Sequence, residues 1–208
     1  MIEALFDKQA DIDKAVEQAI EDNKLITELV DGLTEKNEDY RYNCSKALHV
    51  IARTQAALIY PYWDKLVALM PSKNAYHRMS AVNHLSYLAE VDTENKFEKI
   101  FDAYYALLDD PSVIVAIYVA QASGKIAAAK PNLALKITNR LLDIDKTHHL
   151  PSRKALIKAG IIESFDNYIE SYPGKAAMLD FVKKQIDSDS PKTRNLAKAF
   201  IKKWPRKK

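Results

Sequence analysis

Glycine and cysteine are scarce in this sequence. Its 208 residues contain four glycines, eight prolines and one cysteine, Cys44. So few glycines exclude a glycine-rich phosphate-binding loop and leave little room for flexible linkers. The single cysteine excludes an internal disulfide framework and is typical of a reducing compartment. The N-terminal segment is acidic and has no basic region followed by an apolar core, so it does not resemble a secretory signal. We expect a single-domain cytoplasmic protein.

A long, uninterrupted hydrophobic run is also missing. The most apolar stretch extends from Val113 to Ala129, but it contains Gln121, Ser123 and Lys125. A membrane-spanning helix needs about 20 predominantly apolar residues, and a lysine within it is unfavourable. We therefore predict that this stretch is a buried helix of a folded domain and that the protein does not enter a membrane.

Basic residues are few in the first half of the chain and abundant in the second. Residues 1–110 contain 12 Lys and Arg against 20 Asp and Glu, a net charge of −8. Residues 111–208 contain 19 basic against 8 acidic residues, a net charge of +11. This asymmetry favours electrostatic steering of an anionic partner by the C-terminal half.

Helical spacing of apolar residues dominates the sequence, and no segment shows the alternation of a half-buried strand. The periodic segments come in couplets joined by short polar turns. In two turns a cap residue precedes a proline, Asp110 before Pro111 and Ser190 before Pro191, which predicts helix starts at those prolines. The pattern gives an N-terminal capping helix at 1–22, helix pairs at 23–54, 57–90, 94–129, 132–165 and 174–204, and a basic tail at 205–208.

One position recurs on the second helix of every pair. The aligned residues are Lys46, Asn83, Gln121, Lys158 and Lys198. They are separated by 37, 38, 37 and 40 residues. A period near 40 with two helices per unit is typical of helical solenoids. The segment 163–174 is predicted to be an extra turn or short helix between the last two pairs.

The couplets resemble the HEAT-repeat family over roughly residues 23–204. The likeness rests on an acidic residue in the turn between paired helices and a basic residue early in the second helix. The acidic residues are Glu35, Asp110 and Asp187, and the basic residues are Arg41, Arg78 and Arg153. The departures from this pattern are Ser72, Thr147, Ala116 and Thr193. The resemblance implies an all-α solenoid, an alpha-alpha superhelix of about five helix pairs whose second helices line a concave surface.

These arginines have two interpretations. They are either phosphate contacts or partners of the turn acids in their own or the adjacent repeat. The fixed offset between base and acid favours the second interpretation.

The concave surface implied by the resemblance is the predicted binding site. Polar and basic side chains follow one another there at helical spacing, most densely in the last two pairs. The candidate binding residues are Lys46, Asn83, Gln121, Lys154, Lys158, Arg194, Lys198 and Lys202. They predict either an anion-binding groove for an acidic protein segment or for phosphates, or simply the solvated side of amphipathic helices.

The segment "YPYWDKL" at residues 60–66 is distantly similar to the HEAT-like alkylation-repair DNA glycosylases. In that family a Trp is followed one helical turn later by the catalytic Asp. Here Val67 stands one turn after Trp63, and Asp64 is its immediate neighbour. The likeness therefore extends to architecture and not to catalysis. We expect the aromatic residues to pack around a first helix that is kinked at Pro61.

The remaining chemistry-bearing residues predict no further site. Five histidines are present, but no group of His, Cys, Asp and Glu shows metal-ligand spacing along the sequence. His84 and Cys44 are expected to be packed in the core. We predict no enzyme activity, no cofactor and no metal. The expected function is a non-catalytic protein-interaction scaffold with a protein partner, and the alternative is a DNA-binding protein that uses its basic C-terminal half. The sequence leaves the oligomeric state open.

Overall fold

The computed structural model describes residues 2–205, and these residues form an all-α protein without a β-strand. The all-α prediction is therefore confirmed. The α-helices are α1 (Ile12–Glu21), α2 (Asn23–Gly32), α3 (Glu38–Ile59), α4 (Trp63–Val67), α5 (Ala75–Leu88), α6 (Lys96–Ala106), α7 (Val113–Ala129), α8 (Ala134–Leu142), α9 (Pro151–Tyr168), α10 (Lys175–Lys183) and α11 (Pro191–Lys203). Of the predicted basic tail, residues 206–208 lie outside the described part.

The chain divides into two compact units, Met1–Ile100 and Phe101–Lys208. In the first unit α1 packs on α2 and α3, α2 packs on α3, and α4 packs on α5. The second helices α3 and α5 also pack on each other. The core between them is apolar and includes Ile26, Leu48 and Leu85, which are fully buried. At the N-terminal end α1 packs on α2 and α3, with Ala15, Val16 and Ala19 buried.

In the second unit α7, α9 and α11 pack side by side in that order. α8 packs on α7, and α10 packs on α11. The second helix of each predicted pair therefore contacts the next one along the chain within this unit. Its core includes Val119, Ile157, Phe165 and Val182, all of them buried.

The caps explain where the second helices begin. Asn37 and Asn74 cap α3 and α5 by accepting backbone N–H bonds through their side-chain oxygens. The predicted cap Ser190 is confirmed, because its hydroxyl accepts a hydrogen bond from the Thr193 N–H and α11 begins at the following proline. The predicted cap Asp110 is wrong. Its carboxylate accepts from the Ser112 N–H at 2.7 Å and closes a tight turn, so α7 begins two residues after the proline.

Two further predictions of local structure need correction. Pro61 does not kink a continuous helix: residues Tyr60–Tyr62 form a 3-10 turn, and α4 after it is only five residues long. The segment after residue 162 is not separate, because α9 continues without a break to Tyr168. Its buried residues Phe165 and Tyr168 keep the apolar face of the helix continuous.

The apolar stretch Val113–Ala129 folds as α7, as predicted, with most of its side chains buried. No helix in the described part of the chain is both long enough and apolar enough to cross a membrane.

Candidate functional site

The basic residues at the start of the second helices bind backbone carbonyls of the preceding turn. Arg41 donates through Nη1 to the carbonyl of Glu35 at 2.8 Å, and Arg78 donates to the carbonyl of Ser72 at 2.7 Å. Arg194 donates in the same way to the carbonyl of Ser188 at 2.6 Å. In each case the acceptor lies six residues earlier. Each of these arginines therefore contacts a carbonyl of the preceding turn, and Arg41 also forms an ion pair with Glu38 at 3.8 Å. In the last pair this contact is made by Arg194, which follows Thr193, the residue that the alignment placed at this position.

In the fourth pair a lysine takes this role. Lys154 donates to the carbonyl of Asp145 at 2.9 Å, while Arg153 is exposed to solvent. Lys158, one turn further along α9, forms an ion pair with the Asp145 carboxylate at 2.8 Å, and its side chain is only 14% exposed. Three predicted binding residues, including Arg194, therefore hold the turns of the second unit.

Gln121 lies on α7 and contacts the neighbouring α9. Its side-chain amide donates to Glu163 at 2.9 Å, and Glu163 forms a second contact, an ion pair with Lys192 at 2.8 Å. Glu163 thus joins α7 to α11. The polar side chain of Gln121 is exposed, but its hydrogen-bonding capacity is partly used within the unit.

Lys198 and Lys202 lie one turn apart on α11, and both are exposed. Within residues 2–205 neither side chain forms a hydrogen bond or an ion pair. Their neighbour Lys203 differs, because its ammonium group binds Asp166 at 2.8 Å. Asp166 also accepts a hydrogen bond from the Trp204 indole at 2.6 Å. Burial acts to raise the pKa of Asp166, but these two donors outweigh it and hold the pKa below its ordinary value.

In the first unit, Lys46 is exposed on α3 and Asn83 is half-buried on α5. The Lys46 ammonium group lies 4.3 Å from the centroid of the Tyr42 ring, a cation–π contact. The Asn83 amide lies 2.8 Å from Nδ1 of His49 and joins the two helices. The His49 ring in turn meets Tyr87 edge-on at 5.3 Å. This face is aromatic rather than strongly charged.

A groove of about 240 Å³ opens between the N-terminal halves of α3 and α5. Its lining residues are Glu38, Asp39, Arg41, Tyr42, Ser45, Tyr76, Met79 and Ser80. We call it the α3–α5 groove. Tyr42 and Tyr76 are 55% and 60% exposed, which is unusual for side chains of this size. The Glu38 carboxylate forms an ion pair with the Arg41 guanidinium at 3.8 Å, and the neighbouring Asp39 is exposed, so the lining carries two acidic residues and one basic residue.

Polar groups join the two helices along this groove. The Ser45 and Ser80 hydroxyls lie 3.1 Å apart, and Nε2 of His84 lies 3.3 Å from the Ser45 carbonyl. Within α5, Nδ1 of His84 lies 2.6 Å from the Ser80 carbonyl. His84 is fully buried, and burial lowers its pKa to about 4. The ring is therefore neutral near pH 7. The prediction that His84 is a satisfied core residue is confirmed.

Cys44 and Trp63 are also buried, as predicted. Burial raises the pKa of the Cys44 thiol to about 12, so this cysteine is not a thiolate nucleophile near neutral pH. The Trp63 ring is 2% exposed and meets Phe97 edge-on with the ring centroids 6.4 Å apart. The aromatic cluster at residues 60–66 is therefore packed within the first unit.

One cluster was missed by the reasoning from sequence. Asp109, His148 and His149 each place a ligand atom within 4.8 Å of the other two, a grouping that the spacing along the sequence did not predict. About 40 residues separate the aspartate from the histidines, so spacing along the chain does not reveal the cluster. The only available signal was that both segments occupy turns of consecutive pairs.

No protein-family model matches the chain, and no curated protein matches it. Among solved structures the chain is similar to the crystal structure of an engineered protein from the Northeast Structural Genomics Consortium, with a TM-score of 0.49 and 17% sequence identity. The match covers 94% of this chain and 90% of that one.

Proposed function

We propose that the protein is a non-catalytic interaction scaffold of the HEAT-like class that holds a protein segment in the α3–α5 groove. The observation that carries this proposal is the exposure of two tyrosines, Tyr42 and Tyr76, at the mouth of a groove between adjacent second helices. Tyrosine combines a large contact area with few rotatable bonds, and it is enriched in protein interfaces for that reason.

The acidic residues of the groove indicate that its partner carries basic residues. Glu38 is 88% exposed although it pairs with Arg41 at 3.8 Å, and Asp39 next to it is exposed as well. The Lys46 ammonium group already lies against the Tyr42 ring within the same molecule. A partner segment that carries Arg or Lys beside an apolar residue matches both the carboxylates and the ring faces.

The acidic partner predicted from the sequence has weaker support. Lys154, Lys158 and Arg194 are engaged by oxygens of their own turns, and withdrawing them from these contacts would oppose binding. Lys198 and Lys202 remain available, and they support the alternative function, binding of a DNA duplex through phosphate contacts.

A titration with three fluorescent probes distinguishes these functions. The probes are an arginine-rich peptide containing Leu and Tyr, the same peptide with Glu in place of Arg, and a DNA duplex, each followed by anisotropy at low and near-physiological salt. We expect binding of the arginine-rich peptide that weakens about tenfold or more in the double variant Tyr42→Ala with Tyr76→Ala, because loss of a central aromatic contact typically costs 1–2 kcal/mol or more. Leu150→Ala is the matched control, since Leu150 is 69% exposed and lies outside the groove.

Binding that is unchanged in the tyrosine variant would overturn the proposal. Preferential binding of the duplex, lost in the variant Lys198→Glu with Lys202→Glu, would establish the alternative instead.

A further inference from the structure

Two turns of the second unit meet through an aspartate and two histidines. Asp109 ends the 3-10 turn Leu107–Asp109 that follows α6, and the histidines lie just before α9. The Asp109 carboxylate accepts from the backbone N–H of His148 at 2.7 Å, and Nδ1 of His148 lies 2.5 Å from the same oxygen. These contacts fix the carboxylate beside the first imidazole.

The second imidazole is fixed from the other side. Nε2 of His149 lies 3.1 Å from the carbonyl of Leu108, and the side chain is buried. Because a carbonyl accepts a hydrogen bond and cannot donate one, this nitrogen carries the proton and Nδ1 retains its lone pair. In metal-binding histidines, one ring nitrogen usually donates a hydrogen bond to a backbone carbonyl or carboxylate, and the other nitrogen binds the metal.

We propose that Asp109, His148 and His149 form a binding site for a divalent transition-metal ion, with Zn²⁺ as the best match. Two imidazoles and one carboxylate suit Zn²⁺ and its neighbours in the first transition series, whereas Ca²⁺ and Mg²⁺ prefer oxygen ligands alone. The ligand atoms lie within 4.8 Å of one another. In a tetrahedral zinc site they would be about 3.3 Å apart, so small side-chain rotations complete the geometry.

Because the site is partly exposed, water can supply the remaining ligands of the ion. The side chains of His148 and Asp109 are 54% and 51% exposed, so water has access to the remaining coordination positions. Binding replaces the proton between Asp109 and His148 by the metal ion, and that proton is released to solvent. The metal would join the turns of two consecutive helix pairs, which gives it a structural effect independent of the α3–α5 groove.

The experiment is a titration of the untagged protein with Zn²⁺ by calorimetry and with Co²⁺ by visible absorption. We expect one ion per chain, a d–d absorption band of Co²⁺ bound to nitrogen and oxygen, and weaker binding in acid, because metal binding releases protons. The variants Asp109→Asn and His148→Ala should each bind the ion at least roughly 10–100-fold more weakly. Losses of that size are typical even when only a residue that hydrogen-bonds to a ligand is replaced. Asp109→Glu, which keeps a carboxylate, should retain part of the binding.

His77→Ala is the matched control, because His77 also lies near a turn and its Nδ1 lies 2.9 Å from the Ser72 hydroxyl. The affinity of the His77→Ala variant for Zn²⁺ should equal that of the unmodified protein. Far-ultraviolet circular dichroism of each variant establishes that it is folded before metal is added. The proposal is overturned if the unmodified protein binds Zn²⁺ no more tightly than the folded double variant Asp109→Asn with His148→Ala.

Discussion

The contact between α3 and α5 in the first unit differs in kind from the contact between α7 and α9 in the second. Both join second helices of consecutive pairs. Between α7 and α9 the residues are small, and a Cβ atom added to Gly124 would lie 2.6 Å from the Ser164 carbonyl oxygen and 2.7 Å from its Cα. Gly160 lies similarly close to α7, with a Cβ atom 2.9 Å from Cγ of Gln121. The backbones of α7 and α9 therefore lie so close together that there is no space for a larger side chain at Gly124.

Between α3 and α5 the contact is made by larger polar side chains. Ser45, Ser80 and His84 bridge the helices, while Tyr42 and Tyr76 project from the opening above them. Side-chain size sets the distance between two helices, since small residues allow interlocking and large residues hold the helices apart. The same repeat pattern therefore produces a closed interface in one unit and a groove in the other.

The largest effect is expected from Gly124→Ala. The added methyl group meets backbone atoms of Ser164, which cannot rotate away, so we expect the free energy of unfolding to fall by about 3 kcal/mol, the upper end of the range for overpacking. Ser45→Thr adds one methyl group at the wall of the α3–α5 groove and serves as the control, with an expected change within about 0.5 kcal/mol. Urea unfolding followed by circular dichroism measures both. Equal losses would remove the distinction between the two interfaces.

A smaller effect is expected from acidification between pH 7.5 and 5.0, through His84 in the first unit. The folded pKa of His84 is about 4, below the usual 6.5, so between these values the unfolded chain binds more protons and stability falls as the pH falls. Between pH 7.5 and 5.0 this group contributes a loss of about 2 kcal/mol. The variant His84→Gln should lose correspondingly less over the same interval. A pH dependence identical to that of the unmodified protein would show that His84 is not the titrating group.

An effect of about 1 kcal/mol is expected from Ser164→Ala. The Ser164 hydroxyl accepts from the N–H of Gly124 at 2.9 Å and donates to the Ala120 carbonyl, and it is fully buried. Loss of one such hydrogen bond typically costs about 1 kcal/mol. Ser80→Ala is its counterpart in the first unit and should cost less, because the Ser45–Ser80 contact is 3.1 Å long and borders a solvent-accessible groove. Thermal unfolding of both variants tests this order, and the reverse order would contradict it.

The smallest effect on stability is expected from Tyr42→Ala and Tyr76→Ala. Both side chains are more than half exposed, so each substitution should change the free energy of unfolding by no more than about 0.5 kcal/mol. The same two substitutions, combined, are expected to weaken peptide binding about tenfold or more. If the free energy of unfolding instead fell by several kcal/mol, the tyrosines would stabilise the first unit, and their exposure would not indicate a binding role.

Much of the fold was predictable because local signals were consistent with each other. The apolar period identified every second helix, and Ser190 with Pro191 fixed the start of α11. The break predicted between residues 54 and 57 corresponds to Gln55, whose backbone leaves the helical region within α3. Asp110 misled the prediction, since an aspartate before a proline is equally suited to a tight turn, which is the structure it forms here.

The binding residues were harder to predict. The charges of Lys154, Lys158 and Arg194 were visible in the sequence, but their partners are the carbonyls and a carboxylate of turns whose conformation the sequence pattern does not specify. The cluster of Asp109, His148 and His149 was invisible for the same reason, because it requires two turns to meet. Hydrophobic periodicity states which face of a helix is buried and does not state what its polar neighbours contact.

The amino-acid sequence by itself determined that this protein is helical, since a 3.6-residue apolar period with little glycine and proline leaves no other way to bury its hydrophobic side chains. Tertiary structure alone decided which polar groups remain available to a ligand. Whether a lysine or a histidine binds its own chain or another molecule depends on atoms that lie far away in sequence. Hydrogen bonds act over about 3 Å, and only packing brings such atoms within that distance.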